Sequence, residues 1–111
     1  MRQFSTSVVE RKVHVAGPYD TQPFEAGWAS EAIFFVRVES AADGLEELIA
    51  KVQLSADGIN WVDEGTTVWL PTRQQTHFVR VRHFGGWLRL HLAGADEKTP
   101  AVLTVHLALK E

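Results

Sequence analysis

The sequence predicts an all-β protein, a single-domain antiparallel β-sandwich of jelly-roll type with about eight strands. Apolar and polar residues alternate in successive segments, and turn residues such as Gly58 and Pro71 separate these segments. No stretch has the periodicity of an amphipathic helix. A chain of 111 residues is the size of one domain, so we expect residues 1–111 to share one core between two packed sheets.

The first half of the chain contains two clear strands and a loop between them. The predicted strands are Ser7–Ala16, a short irregular strand near Phe24, and Ala32–Ser40. Gly17-Pro18 ends the first strand, since this dipeptide marks a turn. Residues 41–47 are predicted as a loop because they contain the turn pair Asp43-Gly44.

The second half is richer in strands. The predicted strands are Leu48–Ser55, Ile59–Asp63, Thr66–Leu70, Thr76–Phe84, Trp87–Ala93 and Ala101–Lys110. Ala56-Asp57-Gly58 predicts a tight turn that joins the first two as a hairpin, and Gly85-Gly86 predicts a second hairpin between Thr76–Phe84 and Trp87–Ala93. Alternation predicts a core of Val13, Val15, Phe34, Val36, Val38, Val52, Leu54, Val79, Val81, Leu88, Leu90, Leu92, Leu103, Val105 and Leu107.

Composition argues against several classes of function. The chain has no cysteine, so a disulfide, a thiolate metal ligand and a cysteine nucleophile are excluded. The net charge of −3 does not suit a polyanion, and we expect no nucleic-acid partner. No apolar run approaches the ~20 residues of a membrane span. The first residues lack the apolar core of a signal peptide, which predicts cytoplasmic synthesis and leaves the final location open.

Acidic and basic residues are unevenly distributed along the chain. Ten acids and two bases lie between Asp20 and Glu64, whereas four arginines, His77, His83, His91 and no acid lie between Arg73 and His91. Two interpretations are open. One copy docks head to tail on the next, or opposite charges pair across neighbouring strands of the same chain.

Two groups of residues are candidates for a metal site. His91 and His106 have the outward parity of their strands and would meet if those strands paired. Asp57, Asp63 and Glu64, with the Asn60 oxygen, would supply the oxygen ligands that calcium prefers. Turn aspartates ordinarily accept hydrogen bonds from their own backbone, and we favour that interpretation. The sequence predicts no metal, no cofactor and no catalytic set.

The most suggestive predicted surface combines arginines with tryptophan. If Thr76–Phe84 and Trp87–Ala93 form a hairpin, their outward residues share one face, and these are Arg80, Arg82, Trp87, Arg89 and His91. Arginine beside an aromatic ring suits an acidic protein patch or a sugar. The alternative is a solvated strand face whose arginines cover Trp87. A three-residue turn after Ser55 would place Trp61 opposite Gln53 on an outer face. Two interpretations are open: Trp61 enters a contact outside the main core, such as a subunit interface, or a further bulge turns it inward.

Two resemblances add to this interpretation. Ser55, Asp57, Gly58 and Trp61, in SADGINW, resemble a hairpin of discoidin-type (coagulation factor C-type) β-sandwiches, and THFVRVRHFGGWLRLHLAG resembles a later segment of the same family. That resemblance implies a carbohydrate or lipid-headgroup ligand. The same hairpin, followed by FVRV and LTVHLALKE, resembles small jelly-roll proteins of tailed phages, which implies capsid decoration and oligomerisation.

The sequence therefore predicts a protein that binds and assembles without catalysis. The expected function is that of a virion or particle accessory protein that forms a homo-oligomer, with a trimer as one stoichiometry and a capsid or other particle protein as a further partner. The alternative is a discoidin-like carbohydrate-binding module that uses Trp61, Trp87 and Arg80, Arg82, Arg89. A small jelly-roll enzyme of cupin type is a third class, and it requires clustered metal ligands.

Overall fold

The structure, a computed structural model, describes residues 4–82 and 84–111. Its strands are β1 (Phe4–Val15), β2 (Tyr19–Asp20), β3 (Phe24–Glu25), β4 (Glu31–Ala41), β5 (Ile49–Ser55), β6 (Val62–Trp69), β7 (Gln75–Arg82), β8 (Trp87–Ala93) and β9 (Ala101–Lys110). The described residues contain no helix, and so none that could cross a membrane. The all-β prediction is confirmed. Seven of the nine strands are long, and β2 and β3 are the irregular part of the predicted loop before β4.

The strands form two antiparallel sheets. Sheet A has the order β1-β9-β4-β7, and sheet B has the order β2-β8-β5-β6 with β3 also beside β8. Among the strands of residues 4–82 and 84–111, only β5 and β6 form a hairpin within one sheet, because the other connections between long strands cross between the sheets. A four-stranded and a five-stranded sheet with these crossings have the jelly-roll order that the sequence predicts.

The core fills the space between the sheets. Of the fifteen predicted core residues, thirteen are buried, and Val13 and Leu54 are partly buried against the same cluster. The core also contains small or loop residues that alternation missed, including Leu45, Leu48, Leu70 and Ala95. Leu48 is fully buried although it precedes β5, so the loop itself closes one end of the sandwich.

Two predicted connections are wrong. Residues 62–69 form one strand, not two, because Glu64, Gly65 and Thr66 all lie opposite Val52 in a bulge. The predicted Thr76–Phe84 and Trp87–Ala93 hairpin does not exist, since β7 pairs with β4 in sheet A whereas β8 pairs with β5 in sheet B. The glycine connection crosses over the end of the sandwich. Gly86, at φ +78°, packs directly on the Ser55 carbonyl, where a Cβ would overlap the oxygen.

The register of the first hairpin also differs from the prediction. Leu54 pairs with Val62 and Gln53 with Asp63, so the connection spans residues 56–61 and is longer than three residues. The physical reason is that the Ser55 and Asp57 side chains hold the extra residues in a compact loop. Trp61 consequently lies just before β6 and does not pair with Gln53.

Candidate functional site

The six predicted binding residues lie on two opposite faces of the molecule, and the five predicted to share one face are divided between them. Arg80 and Arg82 belong to β7 and point outward from sheet A. Trp87, Arg89 and His91 belong to β8 and point outward from sheet B, and Trp61 lies beside them. The prediction of one shared surface is wrong, since it depended on a hairpin that does not form. The outward side chains of each sheet are called here the sheet A face and the sheet B face.

Arg89 organises the sheet B face. Its Nε donates a hydrogen bond of 2.8 Å to Gln53, and its Nη2 lies 3.6 Å from the Asp20 carboxylate. Its guanidinium stacks on Trp61, with Cζ 4.2 Å from the ring centroid. Arg89 thereby uses its charge and its planar surface within the chain, and one side of the Trp61 ring is already covered.

His91 and Asp20 extend the same network. Nδ1 of His91 lies 2.6 Å from Oδ1 of Asp20, so one aspartate contacts both Arg89 and His91. Asp20 comes from β2, at the edge of the sheet, and pairs with His91 across the strands. The acidic first half of the chain thus meets the basic second half inside one molecule.

The loop between β5 and β6 is closed by its own hydrogen bonds. Oδ1 of Asp57 accepts the backbone N–H groups of Asn60 and Ile59 and the Ser55 hydroxyl, and Oδ2 accepts Asn60 Nδ2. These donors, led by the Asn60 backbone N–H, hold the pKa of Asp57 far below its usual value. The favoured prediction, a turn aspartate bonded to its own backbone, is confirmed.

Gly58 and Trp87 fasten this loop to the sheet B face. A Cβ added at Gly58, whose φ is +78°, would lie 3.2 Å from the Trp87 ring. Trp61 is fastened by Arg89 at the end of the same loop. The motif residues Ser55, Asp57, Gly58 and Trp61 therefore all have structural partners within the chain.

The structure brings neither candidate metal group together. His91 lies in sheet B and His106 in sheet A, on opposite faces. Asp63 accepts a hydrogen bond from Gln53, and Glu64 accepts two from Thr66. Within residues 4–82 and 84–111, no three His, Asp or Glu side chains form a group suited to a metal. His83 lies outside the described residues.

The sheet A face has a different character. Register places Val8, His106, Phe35 and Phe78 in one row across all four strands. The next row contains Thr6, Ala108, Ile33 and Arg80, and the last contains Phe4, Lys110, Glu31 and Arg82. The exposed fractions are 70% for Phe4, 49% for Phe78, 41% for Val8 and 38% for Phe35. Three phenylalanines on one solvent-facing sheet surface form an apolar patch of the kind that marks interaction sites.

Charged groups surround this apolar row. Arg80 lies over the Phe78 ring, with Cζ 5.2 Å from the centroid, and Nη2 of Arg82 lies 4.0 Å from the Glu31 carboxylate. The alternation that predicts Phe34 and Val36 in the core also places Ile33 and Phe35 on the outer side of the strand, but neither was predicted as a functional residue. The missed signal is a large apolar residue at an outward position on adjacent strands.

One further aromatic side chain on the sheet B face was not predicted as a site residue. Trp69, at the end of β6, is 62% exposed, and its Nε1 donates a hydrogen bond of 3.1 Å to Glu47. Its cross-strand neighbour is Ile49. Unlike Trp61, it has no arginine over its ring among the described contacts.

Comparison with known proteins identifies the fold. Neither the protein-family models nor the curated proteins contain a match to this sequence. Among solved structures, the SPBc2 prophage-derived protein YomS aligns over 100% of this chain and 96% of its own, with TM-score 0.62 and 10% identity. Pili formed by Bacillus endospore appendages align over 98% of this chain and 89% of theirs, with TM-score 0.60 and 10% identity.

A carbohydrate-binding module is also similar. The CBM35 domain of Cellvibrio japonicus Abf62 aligns over 83% of this chain and 66% of its own, with TM-score 0.52 and 16% identity. At these identities the likeness shows a shared β-sandwich fold. The predicted resemblance to a phage-like jelly roll, with a partial likeness to carbohydrate-binding sandwiches, is confirmed at that level.

Proposed function

We propose that this protein is a non-enzymatic structural module of a virion or similar particle, which works by self-association through the sheet A face. The observation that carries the proposal is the row of Val8, His106, Phe35 and Phe78 across all four strands, in which Val8, Phe35 and Phe78 are exposed. The fold is shared with a prophage protein and with spore pili, which supports a structural role.

Chemistry on the two faces also supports this choice. The sheet B face satisfies Trp61, Arg89, Asp20 and His91 within the chain. The sheet A face leaves its phenylalanines in water, and burying them in a neighbour is favourable in proportion to the apolar area removed from water. An assembly module needs such a surface, whereas a monomeric protein gains nothing from it.

The test is sedimentation velocity of the wild type and of the double variant Phe35→Ser/Phe78→Ser over a micromolar concentration series. We expect the wild type to self-associate. Truncating a central aromatic residue of an interface costs about 2 kcal/mol, so the double variant should associate at least ~100-fold more weakly.

The matched control is Ile59→Ser/Val62→Ser. These side chains are 78% and 59% exposed and lie away from sheet A, Ile59 in the β5–β6 loop and Val62 at the start of β6. The control should associate as the wild type does, because it removes exposed apolar area without touching the sheet A face. A wild type that stays monomeric throughout the series, or a control that fails equally, contradicts the proposal.

Trp69 supports a second candidate function, that of a carbohydrate-binding module. An exposed tryptophan beside the Glu47 carboxylate offers a flat apolar surface and a hydrogen-bond acceptor. The fold is shared with a CBM35 domain. A glycan array tests this function, and a signal from the wild type that Trp69→Ala abolishes and Trp28→Ala retains would support it. An array without wild-type signal removes this candidate.

A further inference from the structure

We propose that the sheet A faces of two copies pack against each other about a two-fold axis nearly parallel to the strands. This arrangement pairs Lys110 of each copy with Glu31 of the other. The inference rests on the proposed self-association and names its partner, a second copy of this chain, and its geometry. It follows from the order of strands in sheet A and the identity of their outward residues.

A two-fold axis along the strands exchanges the positions of the strands and keeps the rows. With the order β1-β9-β4-β7, it places β1 opposite β7 of the partner and β9 opposite β4 of the partner. Each residue therefore meets the residue at the mirrored position of its own row. The strands of the two copies then cross at about −30°, the angle that sheet twist gives aligned sheets.

Each row is self-complementary under this operation. In the central row, Val8 meets Phe78 and His106 meets Phe35. In the next row, Ala108 meets Ile33. Two of these three contacts are apolar on both sides, and the third places the His106 ring on Phe35, so the same surface serves both copies as an isologous interface requires.

The last row supplies the charges. Lys110 and Glu31 are neighbours across β9 and β4, and the axis passes between these two strands. Each copy therefore contributes one lysine and one carboxylate close to the axis, giving two opposite-charge pairs. In the same row Phe4, 70% exposed, meets Arg82, which supplies a cation for its ring.

The size of the face is sufficient. Four strands spaced by ~4.8 Å and about eight residues of ~3.3 Å rise give roughly 500 Å² in plan for each copy. Two such faces bury about 1,000 Å², the lower bound for a specific interface, before the relief of the side chains is counted.

A two-fold axis perpendicular to the strands is the competing arrangement. It would reverse the rows, so that Lys110 meets Thr104 and Phe4 meets the bulged segment of Arg11 and Lys12. The axis along the strands is favoured because it gives Lys110 an acidic partner and keeps Phe4 away from that bulge. The two arrangements make different predictions for charge reversal.

The experiment measures dimer dissociation constants by sedimentation equilibrium for the wild type, Lys110→Glu, Glu31→Lys and the double reversal. Each single reversal places like charges together at the axis, so we expect association to weaken at least ~10-fold. The double reversal restores opposite pairs and should return association to within about threefold of the wild type. Glu46→Lys, in the loop between β4 and β5, controls for the change of net charge in Glu31→Lys, and the double reversal has the net charge of the wild type.

The outcomes separate this inference from the proposed function. A wild type that dimerises, with a double reversal as weak as the single ones, overturns the geometry and leaves self-association in place. A wild type that is monomeric overturns both. Thermal melts of each variant at low concentration identify any loss of folding.

A second experiment uses the absence of cysteine in the chain. Thr6 and Arg80 occupy opposite edges of sheet A in one row, so the axis along the strands brings Thr6 opposite Arg80 of the partner. A bis-maleimide that spans the ~10 Å between packed sheets should cross-link a mixture of Thr6→Cys and Arg80→Cys, and neither variant alone. Equal cross-linking of the separate variants overturns the geometry.

Discussion

The two outer faces of this sandwich place the same kinds of side chain in different surroundings. Both carry aromatic and arginine side chains on solvent-facing strands. On the sheet B face, Arg89 stacks on Trp61, bonds Gln53 and contacts Asp20, so the aromatic ring and the charge serve each other. On the sheet A face, Arg80 covers Phe78 from 5.2 Å, and Phe4, Phe35 and Phe78 remain exposed.

The two faces differ because a loop packs on the outer side of sheet B. The long β5–β6 loop folds back on sheet B and brings Gly58 and Trp61 against residues of β8. The described contacts include no loop that folds over the phenylalanine row of sheet A. Aromatic residues therefore stabilise the chain on one side, whereas on the other they are available to a neighbour. Substitutions of the same kind should affect folding on sheet B and association on sheet A.

The largest effect is expected from a matched pair of arginine variants. Arg89→Ala removes a charge-assisted hydrogen bond, an ion pair and a stacking contact, and its side chain is only 20% exposed. We expect a loss of about 2 kcal/mol in the free energy of unfolding. Arg80→Ala removes one exposed cation–π contact and should cost less than about 0.5 kcal/mol. Urea unfolding, at a concentration where both variants are monomeric, measures the two values.

Equal losses for the two variants would contradict the comparison, since they would mean that both faces stabilise the fold. Arg89→Lys tests which property of the arginine stabilises the fold. Lysine keeps the positive charge near Asp20 but lacks the planar fork that contacts Gln53 and Trp61 together. Its stability should lie between those of the wild type and Arg89→Ala, which separates the charge from the shape of the side chain.

Alternation predicted most of the fold because the sheets have one buried and one exposed side. The core positions on β4, β8 and β9 follow directly from a period of two. The pairing of strands did not follow. A short glycine connection fits both a hairpin and a crossing between sheets, and the choice depends on Gly86 packing against the Ser55 carbonyl, a contact 31 positions away.

The wrongly predicted strand pairing also explains why the predicted binding residues do not share one surface. Outward parity was assigned well for Arg80, Arg82, Arg89 and His91, but parity does not say which sheet a strand joins. The interpretation of the uneven charges as pairing within the chain is supported by Asp20 with Arg89 and His91, and by Glu31 with Arg82. Those pairs join residues far apart in sequence, so only the topology reveals them.

The smallest effect is expected from the pH dependence of the β5–β6 loop. The pKa of Asp57 is lowered chiefly by the backbone N–H groups of Asn60 and Ile59, so the ionised form is bonded in the folded chain. A depressed pKa contributes stability that is complete above the unfolded value of 3.8 and is lost as the pH falls towards the folded value. Asp57→Asn should therefore have a lower Tm than the wild type, by a margin that is constant between neutral pH and the unfolded pKa of Asp57. That margin should shrink at lower pH, when the wild type loses its own ionised aspartate.

Asn60→Ala is the control, because it removes only the side-chain donor and leaves both backbone bonds, so its stability should follow the pH profile of the wild type. A margin independent of pH down to strong acid would show that the ionised carboxylate of Asp57 adds nothing to the loop, which would then be held by the Ser55 hydrogen bonds and by the packing of Gly58 and Trp61.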